Sequence, residues 1–423
     1  MPIVRQEVHS VFLLMAALCL GSAGIHAQTT ALVKLYDPRK DTPSQIQADP
    51  ATFGWQMFVL LNWPELPGYR GIPDPHARLG QMGATVWESY KNASEIYLSH
   101  GQRPPAWNVN NELPVPRAMG GHPTADQLAA FGPVDSTWVH YLSETVMIDG
   151  QNVCDADSNV VRYDVRGNRA YYDFVVNNPS GHELFNTQGQ EAALTDPNFV
   201  FSFPTDTVEV KASWRILEHG EDPSRYWTAI GVYRDIHNVV RSARIGLTGL
   251  HIISKSLPDW VWITFEQVDN ATKTYTYKLG QKLVPVGANP NYNNALTPIN
   301  LMYQAALAGT KWQYYALMNT QTKFVNASQQ PTLLGNTQME TYFQSNSSCI
   351  TCHKLASIGP LKDPRLQLFY PLLPYVGNQD FQTVAHQQYP GLTFKDMDFA
   401  WSLRNAQYKK APVPTKKPAP SAK

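Results

Sequence analysis

The chain has 423 residues, with 34 basic and 34 acidic side chains. That balance gives no electrostatic case for nucleic acid or an anionic membrane as a partner. Its 11 Trp, 21 Tyr and 16 Phe, beside 32 Pro and 26 Gly, exclude a largely disordered chain and point to a β-rich, loop-rich body with a substantial core.

At the start, Arg5 precedes an apolar run from Val11 to Leu20, and small residues follow up to Ala23 and Ala27. This predicts a secretory signal peptide over residues 1–27, its apolar run being too short to span a bilayer as a helix. No later stretch stays apolar for the roughly 18 residues a span needs. The mature chain is therefore expected to be periplasmic or secreted, without a membrane span.

Asp49, Pro50 and the run ATFGWQMFVLLNWP predict a helix. Asp49 is an N-cap, Pro50 suits the first turn, Phe53, Met57 and Leu60 or Leu61 form an apolar face, and Pro64 stops it. ATVWESYKNASEIYL (84–98) predicts a second helix, and ELPVPRAMGGHP a loop. From about residue 200 the texture changes to strands. TVEVKASWRIL sets Val208, Val210, Ala212 and Trp214 against Glu209, Lys211, Ser213 and Arg215, and YWTAIGVYR, ARIGLTGLHIISKS and DWVWITFEQVD follow. Alternating charges of this kind are expected on a solvated face. If Glu209, Lys211, His251, Lys255 and Glu266 instead converge, they form a polar cluster suited to acid–base chemistry. TPINLMYQAALAG predicts a helix beginning at Thr297 and Pro298, and KWQYYALMNTQT another strand. After about residue 331 come a Pro-rich loop, GPLKDPRLQLFYPLLPYVGNQ, and a predicted terminal helix over TFKDMDFAWSLRNAQYKK with Phe399, Trp401, Leu403 and Ala406 as apolar positions. The Lys/Pro/Ala-rich tail, 411–423, is expected to be disordered.

The most specific chemistry lies in SSCITCHK, where Cys349, Cys352 and His353 form C-x-x-C-H. Composition alone would produce this pattern in roughly one chain in a thousand. Of the four cysteines, Cys19 leaves with the signal peptide and Cys154 stands alone in QNVCDADSN. An exported protein normally uses cysteines as a disulfide framework, and none is present. A structural zinc site needs four ligands, which only Cys154 and scattered histidines could complete. A thioredoxin-type pair belongs early in a βαβ unit, not late in a chain. Covalent attachment of one haem c remains: two thiols three positions apart reach two vinyl groups, and the next residue brings an imidazole to the iron. CDADSN opens like a calcium loop, yet it lacks the required Gly and has Arg166 where a Glu belongs.

For the sixth iron position Met397 is the first candidate, since it follows the haem motif and lies at the start of the predicted terminal helix; ordinary packing is the alternative. His386 and His251 are further candidates. His386 reads otherwise as a surface-loop residue, and His251 as a buried, hydrogen-bonded one.

WQMFVLLNWP (55–64), VWESYK (86–91), VEVKASW (208–214), GLHIISK (249–255), WVWITFEQVDN (260–270), METYFQSNSSCITCH (339–353) and DFAWSL (398–403) resemble a group of bacterial exported mono-haem cytochrome c-like proteins. The resemblance spreads over most of the mature chain and implies a haem c protein of the cell envelope; it supplies no reaction. The expected architecture is α+β: a large β-rich body with flanking helices over 28–330, and a short, mainly helical cytochrome c-like haem segment over 331–410. The expected function is electron transfer to or from a redox partner protein. A haem-dependent oxidase or peroxidase, its substrate held by the large body, is the alternative.

Overall fold

The computed structural model describes residues 33–110, 132–359 and 390–409, apart from 143, 146, 149–150, 236, 280–281, 286–295, 341–343, 345–346 and 392–393. The expected signal peptide, the Pro-rich loop, His386 and the tail lie outside the described residues. In chain order the elements are α1 (Pro43–Ala48), α2 (Pro50–Leu61), β1 (Lys91–Asn92), α3 (Ala93–Ile96), β2 (Val139–Leu142), β3 (Glu144–Thr145), β4 (Met147–Ile148), β5 (Gln151–Cys154), β6 (Arg162–Gly167), α4 (Arg169–Asn177), α5 (Thr187–Thr195), β7 (Val208–Ile216), β8 (Thr228–Arg234), β9 (Val240–Ser254), β10 (Val261–Gln267), β11 (Thr276–Leu279), β12 (Lys282–Pro285), α6 (Pro298–Ala306), β13 (Tyr315–Gln321), α7 (Cys349–Lys354), β14 (Ser357–Ile358) and β15 (Lys395–Asp396).

A nine-stranded sheet dominates, with β1, β6, β7, β9, β10 and β13 in that order and β2, β3 and β8 attached to it. Its pairs are antiparallel except β2 with β8. The fold is thus mixed α and β, with a large, mainly antiparallel sheet and few helices. No helix among the described residues is long and apolar enough to cross a membrane.

One face of the sheet carries Val210, Ala212, Leu250, Ile252, Ile263 and Phe265, all buried. Helix α2 lies on it. Asp49 caps that helix by accepting from the Thr52 amide at 3.1 Å, and Pro50 occupies its first turn. A Cβ at Gly54 would sit 3.0 Å from Thr320 and 3.2 Å from Ile263, so glycine there lets the helix approach the strands. Phe58 stacks on Phe265 at 4.2 Å and Trp55 on Tyr303 of α6 at 4.7 Å.

Two helix expectations are corrected. Of residues 84–98 only Ala93–Ile96 are α-helical. The amides of Val86 and Trp87 donate to Trp63 and Leu61, and Lys91–Asn92 pair with β6, so non-local partners take the hydrogen bonds a helix would need. The terminal helix reduces to a 3₁₀ turn, Trp401–Asn405. Asp398 and Phe399 stand at φ 50° and 67°, a left-handed conformation that no α-helix contains.

The second face of the sheet is not solvated either. Glu209, Ser213 and Arg215 are 8%, 0% and 1% exposed. The described residues of 331–359 and 390–409 lie over this face, and Leu334, Ile350, Ile358, Met397, Phe399 and Leu403 join the same buried cluster as Ile253 and Trp262.

Candidate functional site

The antiparallel register sets residues on this second face in rows across β6, β7, β9 and β10. One row is Gly167, Glu209, Ile253 and Trp262; the next is Val165, Lys211, His251 and Thr264; a third is Tyr163, Ser213, Gly249 and Glu266. Above them lies a cavity of about 440 Å³. Tyr163, Val165, Glu209 and Lys211 form its floor, Met339, Glu340 and α7 one wall, and Trp401, Ser402 and Arg404 the other.

Helix α7 is Cys349–Lys354. On a helical turn, positions i, i+3 and i+4 share one side. Cys349, Cys352 and His353 therefore face the same way, and all three line the cavity. Both cysteines are free thiols. Burial and the nearby Glu340 carboxylate push the Cys349 thiol well above its ordinary pKa.

The His353 ring lies 4.5 Å from Trp262. Its Nδ1 donates to the Phe399 carbonyl at 2.8 Å. Burial holds the imidazole's pKa down at about 4, against the opposing pull of that carbonyl. The ring is thus neutral near pH 7, with its proton on Nδ1 and the lone pair on Nε2. That is the state in which an imidazole ligates a metal, and the carbonyl fixes the tautomer.

The charges around the cavity divide in two. Glu340 pairs with His251 Nε2 at 3.2 Å, and His251 Nδ1 shares a hydrogen bond of 2.7 Å with Thr264. Lys211 lies 4.2 Å from the Tyr163 ring centre; among the described residues neither Lys211 nor Arg404 has an ion-pair partner. Glu209, at the inner end of the floor, is pushed up to about 7 by burial, against the opposing effects of Ser402 and Lys211.

Of the residues singled out in the sequence, Cys349, Cys352 and His353 come together here. Glu209 and Lys211 join them, and His251 borders the cavity through Glu340. Lys255 instead holds Asp398, and Glu266 accepts from the Thr337 amide at 2.8 Å and Asn270 at 3.1 Å; both are structural. Met397 is 1% exposed, its amide bonded to the Ala356 carbonyl at 2.9 Å, and its side chain packs in the core rather than lining the cavity. The methionine that lines the cavity is Met339. Cys154 sits on β5, in the separate four-stranded sheet. Among the described residues no three His, Cys, Asp or Glu side chains are grouped to hold a metal ion, which is the arrangement a zinc reading would need. Sequence reasoning missed Glu340, Trp401 and Ser402, which reach the cavity through long-range contacts and carry no local motif.

No known protein family, curated protein or solved structure matches the chain.

Proposed function

We propose that this chain is an exported protein that binds one haem c covalently through Cys349 and Cys352, ligates its iron through His353, and transfers electrons in the cell envelope. The observation that carries this reading is that two thiols and a neutral imidazole project from one side of α7 into a single cavity of about 440 Å³, a volume within the usual range for cofactor sites. When bound, haem supplies reversible one-electron chemistry at iron.

The chain's own groups fit such a cofactor. Each thiol can add its sulfur and hydrogen across a vinyl group, forming a C–S bond with no net gain or loss of electrons. The Phe399 carbonyl keeps the His353 proton on Nδ1 and leaves Nε2 for the iron. Trp401, Met339 and Val165 offer apolar contact, and Lys211 and Arg404 are the cations that would meet the cofactor's carboxylates. A redox partner protein follows from the electron-transfer role.

One observation favours a second reading, a haem-dependent oxidoreductase. Met397 does not line the cavity, while Glu209, a proton-exchanging carboxyl, does. Visible spectra of the ferric and ferrous protein, with and without carbon monoxide, separate the two. A ferrous spectrum unchanged by carbon monoxide supports the carrier. Ready carbon monoxide binding supports the oxidoreductase. A protein without haem bands after expression with a haem c maturation system would contradict both. Substitution of Met339 by Ala should open a closed iron site to carbon monoxide, whereas Met397→Ala should not.

A further inference from the structure

Glu209 is continued by a line of hydroxyls leading away from the cavity. Ser402 Oγ donates to Glu209 Oε2 at 2.5 Å. Tyr171 Oη lies 2.7 Å from Ser402 Oγ, and Tyr97 Oη lies 2.5 Å from Tyr171 Oη. A hydroxyl has one proton to give. Since that of Ser402 is directed at Glu209, Tyr171 must donate to Ser402 and Tyr97 to Tyr171. All three O–H bonds therefore point towards the carboxylate.

The two ends of the line open on adjoining cavities, which share Glu144, Tyr163, Val165 and Asn405 as lining. Glu209 and Ser402 line the cavity in front of α7. Tyr97 lines a second cavity of about 180 Å³, polar at Asn92, Ser94 and Gln407. The line itself is buried: Tyr171 is 2%, Tyr97 7%, and Glu209 and Ser402 8% exposed. Its geometry is built by distant parts of the chain. A Cβ on Gly167 would fall 2.4 Å from the Tyr171 ring, so glycine there allows the tyrosine to lie against β6. Phe203 stacks on the other side at 5.2 Å.

We propose that Tyr97, Tyr171, Ser402 and Glu209 form a proton relay between the second cavity and the cavity in front of α7, through which a proton reaches Glu209 when the centre held by α7 is reduced. The relay rests on the hydroxyl line; its link to reduction rests on the haem reading above. In one passage the Ser402 proton goes to the Glu209 carboxylate, the Tyr171 proton to Ser402 and the Tyr97 proton to Tyr171. A proton from bulk solvent, conducted by water in the second cavity, then restores the Tyr97 proton. Only O–H bonds break and form, and the accompanying electron comes from the one-electron donor that serves as redox partner. The charged and titratable groups around Glu209 are Lys211 on its own strand, the phenols of Tyr97 and Tyr171, Tyr163 on β6, and Glu144, Arg404, Glu340, Cys349, Cys352 and His353 on the cavity walls. Burial places the Glu209 carboxyl where it exchanges its proton near neutral pH.

The test uses the full haem-loaded chain. One proton per electron moves the midpoint potential by about 59 mV for each tenfold change in proton concentration. A slope of this kind is expected around neutral pH in the wild type and its loss in Glu209→Gln, which keeps a partner for Ser402. Tyr171→Phe should keep the slope and slow proton uptake after rapid reduction by roughly tenfold or more. A wild-type potential independent of pH between about pH 5 and 9, or wild-type proton uptake in Tyr171→Phe, would overturn the proposal. Should the chain carry no haem, the haem reading fails by itself. The relay is then read from the rate at which the infrared band of the Glu209 carboxyl shifts in heavy water. That rate falls in Tyr171→Phe if the relay exists and is unchanged if it does not.

Discussion

At His353 the side chain's chemistry is set by one carbonyl. Phe399 presents that carbonyl from a left-handed pair of residues, Asp398 and Phe399, a conformation that costs on the order of 1–3 kcal/mol at each non-glycine position. The Asp398 carboxylate holds it, accepting from the Phe203 amide at 2.8 Å, Lys255 at 2.5 Å and Trp260 at 3.3 Å. Asp398→Ala would leave Lys255 enclosed without its partner and free the carbonyl; a stability loss of about 3 kcal/mol is expected in denaturant unfolding. Glu209 gives a second prediction, on pH. Its pKa is raised to about 7 from 4.5, so between those values the folded chain keeps a proton that the unfolded chain releases. Stability must then fall as pH rises through that window. Glu209→Gln should abolish this dependence and be more stable than the wild type by about 3 kcal/mol above pH 7 in unfolding titrations; equal slopes in both proteins would contradict it. At this scale C-x-x-C-H was legible because its chemistry is written in five adjacent residues. Glu340 and Ser402 were not, because each enters the site across a long sequence separation, at His251 and Glu209.

Among the elements, the long strands β7, β9, β10 and β13 and the helices α2 and α6 were legible, since each joins a clear period to clear end signals. Asp49→Ala, which removes the α2 cap, is expected to lower the melting stability by about 1 kcal/mol. Strands β1, β2 and β3, of two to four residues, exist because longer neighbours pair with them, and too few residues carry any pattern. The predicted terminal helix failed for a related reason: its apolar residues Phe399 and Leu403 are buried as expected, but around a turn held by Asp398 rather than on a helix. The polar face of β7 misled most. The alternation is there, but its charged side does not meet water, because described residues after 331, among them Met339, Glu340 and Ser402, cover it.

For the molecule as a whole, the C-x-x-C-H segment and the sheet share one core. Met397, buried at 1%, should lose about 2–5 kcal/mol of stability on replacement by Ala with no change in the spectrum of a bound haem, if packing is its role. A chain ending at residue 330 would uncover Trp262, Ile253 and Glu209 and is expected to fail to fold, whereas an independent body would give a cooperative unfolding transition. On the proposed reading the size of the protein becomes intelligible: residues of the sheet form the floor of the cavity that Cys349, Cys352 and His353 line. The intact mass of the mature protein under denaturing conditions tests the central claim most directly. One haem is expected to be added per chain, retained in denaturant, and lost when Cys349 and Cys352 are both replaced by Ser. A chain carrying no added haem after expression with a maturation system, or one retaining it in the double variant, would contradict it.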